Sequence, residues 1–327
     1  METRLLNARS PLDLDEAAGR LLRGGLVAFP TETVYGLGGL ALEPLAVRAI
    51  YAAKGRPATN PLIVHVLGED DARPLCDRWP LEARLLAQRF WPGPLTLVLP
   101  RSALVPDEVT AGGDTVAVRS PSHPDARALL SRLSGAPLAG PSANRSEHVS
   151  PTTAAHVLRD LNGRIDAVLD GGRCAVGIES TVVALLPIPR LLRAGAITRE
   201  QLEEVLGCVL QGPPEPGARA PSIAQSPGQQ RRHYAPAGRV LLVDASEVAA
   251  AVLGDGRAGA IVHSAEAPAA AAVKRLPDTA AGYARELYAA LRELEDADCA
   301  TIVIERVPMG AEWAAIRDRL ERAAAPA

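Results

Sequence analysis

The chain has 327 residues, 35 of them basic and 38 acidic, for a net charge of −3, and 47% of it is hydrophobic. That length allows one large domain or two ordinary ones, and the balanced charge excludes the broad polycation on which non-specific nucleic-acid binding relies. No apolar run reaches the ~18 residues of a membrane-spanning helix, and Met1–Arg4 lead into no long apolar segment, so the cytoplasm is the expected compartment and no membrane partner is expected.

In chain order, residues 13–23 read as an amphipathic helix ending at Gly24-Gly25, followed by an apolar strand at 26–29 that Pro30 stops. A helix is predicted at 43–53, with Pro44 early and Gly55 just past its end. A strand at 62–66 and two helical stretches between 69 and 90 come next. Strands follow at 95–99, 115–119 and 137–139, with helices at 124–133 and 152–160. Strands at 168–169, 181–186 and 191–193 and a helix at 198–206 complete the region. This irregular alternation predicts a mixed α/β sheet for residues 1–206. Residues 207–236, rich in Pro, Gly and Ser, read as an extended linker. Residues 237–327 give a cleaner βα pattern, with strands at 239–243, 259–263 and 300–304 and helices at 246–253, 279–294 and 312–323. That pattern predicts a smaller Rossmann-like α/β domain with a parallel sheet, lacking the usual glycine-rich nucleotide fingerprints.

The four cysteines, at 76, 174, 208 and 299, form no CxxC pair, so no local metal cluster is expected. Of the basic residues only Lys54 and Lys274 are lysine. A lysine kept amid so many arginines is a candidate for a place where a compact ammonium is needed.

The chemistry-bearing residues gather at strand ends and turns. Thr31-Glu32-Thr33 and Tyr35 stand beside Gly36 and Gly38, offering donors and acceptors to a ligand or simply forming a turn with a threonine helix cap. Lys54 and Arg56, two apart in a Gly/Pro turn, form a compact anion site or a solvated basic turn. His65 on an apolar strand reads as a ligand or a core histidine. Arg119 ends a strand, where a guanidinium binds carboxylate or phosphate or makes a surface ion pair. Gly140–Ser146, Ser150, Gly177–Val183 and Leu192–Gly195 add small hydroxyl and amide groups suited to a groove for phosphate and amino acid.

Together, PTETVYGLG, AKGRPATNPLIVHV, WPGPLTLVL, TVAVRSPSHP, GPSANRS, DLNGRIDAVLDGG, GIESTVV and LLRAG resemble the threonylcarbamoyl-AMP synthase family with its YrdC-like fold, over about residues 10–206. Ser226–Pro236 resembles the linker of the long, two-domain form, which folds over the groove; Gln229-Gln230 stand where that family commonly has Met-Lys.

The resemblance implies that L-threonine, bicarbonate and ATP, with Mg2+, give threonylcarbamoyl-AMP and pyrophosphate, the first step of tRNA threonylcarbamoyladenosine modification. Lys54 and Arg56 are then the catalytic charge neutralisers. Thr33, His65, Arg119, Gly140 and Ser180 are implied to hold threonine, and Arg56, Asn60, Thr115, Ser142, Asn144, Ser150, Arg193, Arg232 and Tyr234 to hold ATP. Tyr35 would line the groove and His233 help close it. No protein metal ligands are implied. A separate tRNA threonylcarbamoyltransferase is the implied downstream partner, with at most weak RNA contact. The alternatives are a carbamoyltransferase of the same fold, whose usual acylphosphatase and CxxC segments are missing here, and a non-catalytic RNA-binding protein, against which the balanced charge speaks.

Overall fold

A computed structural model of the protein describes residues 2–212 and 234–325, which divide into two compact units. The first takes in residues up to 146, 151–175 and 179 onward to 212; the second takes in 147–150, 176–178 and 234–325.

The strands of the first unit are β1 (Arg4–Asn7), β2 (Val27–Phe29), β3 (Gly36–Leu40), β4 (Ile63–His65), β5 (Leu95–Pro100), β6 (Thr115–Arg119), β7 (Leu138–Ala139), β8 (Ala167–Asp170), β9 (Thr181–Ala184) and β10 (Arg190–Arg193). They form one mixed sheet in the order β1-β8-β2-β3-β7-β4-β6-β5-β9-β10. Because a strand's side chains alternate between faces, each strand splits its residues between two layers. Ala28, Val64, Leu95, Leu97, Leu99, Val116, Val118 and Val183 turn to the larger core. The helices Pro44–Lys54, Leu81–Phe90, Ala154–Leu161 and Arg199–Leu206 pack on that face through Ile50, Leu86, Val157 and Leu202. On the opposite face, helices Pro11–Leu22 and Pro124–Ser131 cover the end of the sheet containing Val27, Phe29 and Leu169. The rest of that face has a small apolar cluster of strand residues, Ile63, Val98, Ala117, Val182 and Leu192.

Local chemistry sets the helix ends. Ser10 caps Pro11–Leu22 by accepting from the Asp13 N–H, and Gly55, at φ 61°, ends Pro44–Lys54 in the left-handed conformation that glycine takes without strain. Thr198 and Gln201 form a reciprocal capping box on Arg199–Leu206.

Three strands escaped the sequence reading. β1 alternates too little, since only Leu6 of its four residues is buried. β3 carries three glycines in five residues, and glycine weakens a strand pattern. Those glycines have a packing reason: a Cβ at Gly36 or Gly38 would lie 3.0 or 3.1 Å from the Phe29 ring of the neighbouring strand.

In the second unit, β11 (Arg239–Val243), β12 (Ala258–Val262), β13 (Ala272–Arg275) and β14 (Thr301–Glu305) form a wholly parallel sheet in the order β11-β14-β12-β13. This is the expected Rossmann-like pattern with β13, a short half-exposed edge, added. Helices Val248–Val252, Ala280–Asp296 and Ala314–Ala324 accompany it. At the end of β14, buried Glu305 accepts from the N–H groups of His263 (2.7 Å), Ser264 (3.1 Å) and Ala265 (3.1 Å), and from the Ser264 hydroxyl. No helix among the described residues is long and apolar enough to cross a membrane.

Candidate active site

Alternation on neighbouring strands brings the predicted residues together. His65 shares the parity of Ile63, Arg119 that of Ala117, and Thr96 that of Val98, so all three side chains stand on the face opposite the large core. In register, His65 is opposite Arg119 on one side of β6, and Thr96 is opposite Arg119 on the other.

Arg119 is 4% exposed and anchored in three directions. Its Nη2 donates to Glu32 Oε1 at 2.7 Å, Nη1 to Thr33 Oγ1 at 2.9 Å, and Nε to the Gly93 carbonyl at 3.4 Å. The second Glu32 oxygen accepts the Ser122 N–H at 3.1 Å. Burial alone raises the Glu32 carboxyl, but the Arg119 charge and these hydrogen bonds outweigh it and hold the group below its ordinary value. Thr31 Oγ1 lies 2.8 Å from Thr33 Oγ1 and fixes the turn from within.

Phe29 supports His65 edge-on, with ring centroids 5.5 Å apart. Gly140 leaves room for the imidazole, since a Cβ there would stand 2.8 Å from His65 Nδ1. Burial, then the nearby Arg119 charge, pushes the imidazole down to about 3, so it is neutral at physiological pH. Its Nδ1 has no hydrogen-bond partner among the described residues.

Beyond β5, Thr96 Oγ1 lies 2.8 Å from Ser180 Oγ. Arg193, at the end of β10, donates to the same serine through Nε (carbonyl, 3.0 Å) and Nη2 (hydroxyl, 3.1 Å).

The basic pair differs from a solvated turn. Lys54 is 2% exposed and donates Nζ to the Ser142 carbonyl at 2.5 Å and to the Asn144 carbonyl. Burial and the Arg56 charge, opposed by Asp160, hold its amine well below the ordinary lysine value. Arg56 donates to the Asn60 carbonyl at 3.1 Å and the Pro61 carbonyl at 3.0 Å. The Asn60 Oδ1 is buried without a partner among the described residues. The turn therefore binds the 142–144 segment to the end of helix Pro44–Lys54, bringing Lys54, Arg56, Asn60, Ser142 and Asn144 into one cluster.

Other expected residues lie elsewhere. Thr115 is exposed at the opposite end of β6 from Arg119. Tyr35 is not on a groove wall: it is fully buried in the large core, where its hydroxyl donates to the Gly172 carbonyl at 2.7 Å. Ser150 is buried in the 147–150 segment of the second unit. Tyr234, also in that unit, is 1% exposed, stacks on Tyr288 at 5.9 Å and lies 5.2 Å beneath the Arg319 guanidinium. Arg232, His233 and Gln229-Gln230 lie outside the described residues. Phe29 and Thr96 carry no sequence signal of a site, and Glu32 reads only as one acceptor in a polar turn. The Glu32 carboxylate beside two threonines was visible, but its pairing with an arginine 87 positions away was not.

The fold and this cluster define an α/β protein with buried basic and hydroxyl side chains gathered at the ends of its mixed sheet's strands. Residues 20–195 match the family model of Sua5, YciO and YrdC, described as "Telomere recombination". Residues 197–325 match the model for the threonylcarbamoyl-AMP synthase C-terminal domain. The chain is 42% identical to the threonylcarbamoyl-AMP synthase of Pyrococcus abyssi, over 98% of this chain and 97% of that one, and 43% identical to that of Bacillus subtilis, over 94% and 92%. It also resembles the crystal structure of P. abyssi Sua5 complexed with L-threonine, with a TM-score of 0.91 at 41% identity, covering 99% of this chain and 98% of that one. The chain belongs to the threonylcarbamoyl-AMP synthase family.

Proposed function

We infer that this chain makes threonylcarbamoyl-AMP from L-threonine, bicarbonate-derived CO2 and ATP, the first step of tRNA threonylcarbamoyladenosine modification, in the cytoplasm. The threonine nitrogen adds to CO2 and loses a proton, giving a carbamate. A carbamate oxygen then attacks the α-phosphorus of ATP, and the bond from that phosphorus to the bridging oxygen breaks, releasing pyrophosphate. The carbamate and ATP that meet in the second step are both anionic, so the protein's task there is alignment and charge neutralisation.

The observation that carries this reading is the buried Arg119, held by Glu32 and Thr33 beside neutral His65 on one sheet face. Such a guanidinium suits the amino-acid carboxylate, and His65 Nδ1 and the Ser180 hydroxyl supply uncharged polar contacts. Lys54, Arg56, Asn60, Ser142 and Asn144 make a second polar cluster suited to the nucleotide, and Arg193, joined to Ser180, is a further ATP ligand by family pattern. Mg2+ enters as MgATP, a substrate. The labile product passes to a separate tRNA threonylcarbamoyltransferase.

The test is pyrophosphate release by the purified protein, omitting ATP, Mg2+, bicarbonate or L-threonine in turn. Release that depends on all four supports the reading. Release that continues without threonine overturns it.

A further inference from the structure

Arg119 offers five N–H groups, and among the described residues three are used, by Glu32, Thr33 and Gly93. Two remain for a substrate carboxylate. Glu32 is no mobile partner: its oxygens are fixed separately, one by Arg119 and the other by the Ser122 N–H, and its side chain is as sheltered as that of Arg119, at 9% and 5% exposure. A buried charge pair interacts strongly because little water screens it. Any carboxylate gripped by Arg119 therefore shares that cation with a resident anion 2.7 Å away.

We propose that Glu32 is a positioning residue that sets threonine affinity, acting through Arg119 as a built-in counter-anion that an incoming carboxylate must share. The proposal rests on the functional reading above. In that reaction the threonine carboxylate is unchanged from substrate to product, so Arg119 grips both alike. Such uniform binding does not speed the chemical step, and a stronger grip slows product departure. Glu32 moderates the grip while holding the guanidinium in place, and it compensates the buried cation when the pocket has no substrate.

The test is calorimetric titration of L-threonine into the wild type, Glu32→Gln and Glu32→Asp, with thermal unfolding of each with and without threonine. Glu32→Gln keeps an oxygen for Arg119 and removes the charge. It is expected to bind threonine roughly tenfold more tightly, to melt at lower temperature alone, and to gain more from threonine than the wild type does. Its kcat and KM should both fall. Glu32→Asp keeps the charge, and its affinity should return to within about twofold of wild type, less than the smallest coupling worth calling allosteric. Equal or weaker threonine binding by folded Glu32→Gln overturns the proposal, leaving Glu32 as a structural prop. If that variant is too unstable to purify alone, added threonine should recover it, and failure of that recovery also overturns the proposal. A wild type that binds no threonine removes the functional reading instead.

Discussion

Arg193 is joined twice to Ser180, through the backbone carbonyl at 3.0 Å and the hydroxyl at 3.1 Å, although 13 positions separate them. The same hydroxyl lies 2.8 Å from Thr96, so one small side chain links β10, the residue before β9, and β5. Ser180→Ala leaves two buried polar groups short of a partner, at a cost of about 1–3 kcal/mol. Its expected signature is a rise in the threonine KM larger than any rise in the ATP KM, measured by pyrophosphate release. Equal effects on both substrates would show that the serine serves the fold rather than the threonine pocket.

Lys54 gives a different expectation. Its ammonium is buried and donates to two backbone carbonyls, so Lys54→Met removes both a charge near the nucleotide cluster and a link to the 142–144 segment. Turnover should drop about 10²–10³-fold, as when one pre-organised electrostatic donor is deleted. Denaturant unfolding should show a loss of about 1.5–3 kcal/mol, the worth of hydrogen bonds to a charged group. A folded variant with near-normal turnover would remove Lys54 from the catalytic machinery.

At Gly140 the constraint is space. An added methyl would sit 2.8 Å from His65 Nδ1 and 3.3 Å from the Phe29 ring. Gly140→Ala should cost about 1–3 kcal/mol by overpacking and raise the threonine KM by displacing the imidazole. Threonine titration and thermal unfolding of the variant check both effects.

The pH dependence follows from His65. In the folded protein its ring refuses a proton until about 3, whereas the unfolded chain takes one near 6.5. Stability from this group is therefore complete above 6.5 and declines as pH falls from there toward 3. The slope contributed is at most about 1.4 kcal/mol per pH unit. Unfolding free energies across that window should fall less steeply in His65→Gln than in the wild type. Threonine affinity should show no inflection near 6.5 from this ring.

The second unit can be probed separately at Glu305, whose carboxylate accepts three consecutive N–H groups and a hydroxyl. Glu305→Gln turns an NH2 group toward donors and should cost about 2–3 kcal/mol. Hydrogen exchange should locate the loss at residues 263–265.

The elements legible in the sequence were those whose periodicity agrees with their burial. Helix Pro44–Lys54 announced itself by proline near the start and glycine after the end, and Pro11–Leu22 by its amphipathic period and the Gly24-Gly25 that follows. β3 did not, because the glycines that admit Phe29 also erase the strand pattern. The site shows the same division. Arg119 was legible as a strand-end guanidinium and Lys54 as a lone lysine in a glycine turn. Their partners were not: Glu32 meets Arg119 only because the sheet places β6 near the turn after β2, and the carbonyls that receive Lys54 leave no mark in side-chain identity. Tyr35, which the resemblance places along the groove, is buried in the large core instead.

The alternation that puts Arg119 and Val118 on opposite faces also limits how this chain can change over evolution. One inserted residue inside Thr115–Arg119 or Leu95–Pro100 would send the charged group into the helix-covered layer and an aliphatic one onto the reactive side. Those stretches can exchange one side chain for another of similar kind, yet their length is locked. The loops between them carry no such phase, so natural variants should differ in length at the turns and almost never within these strands.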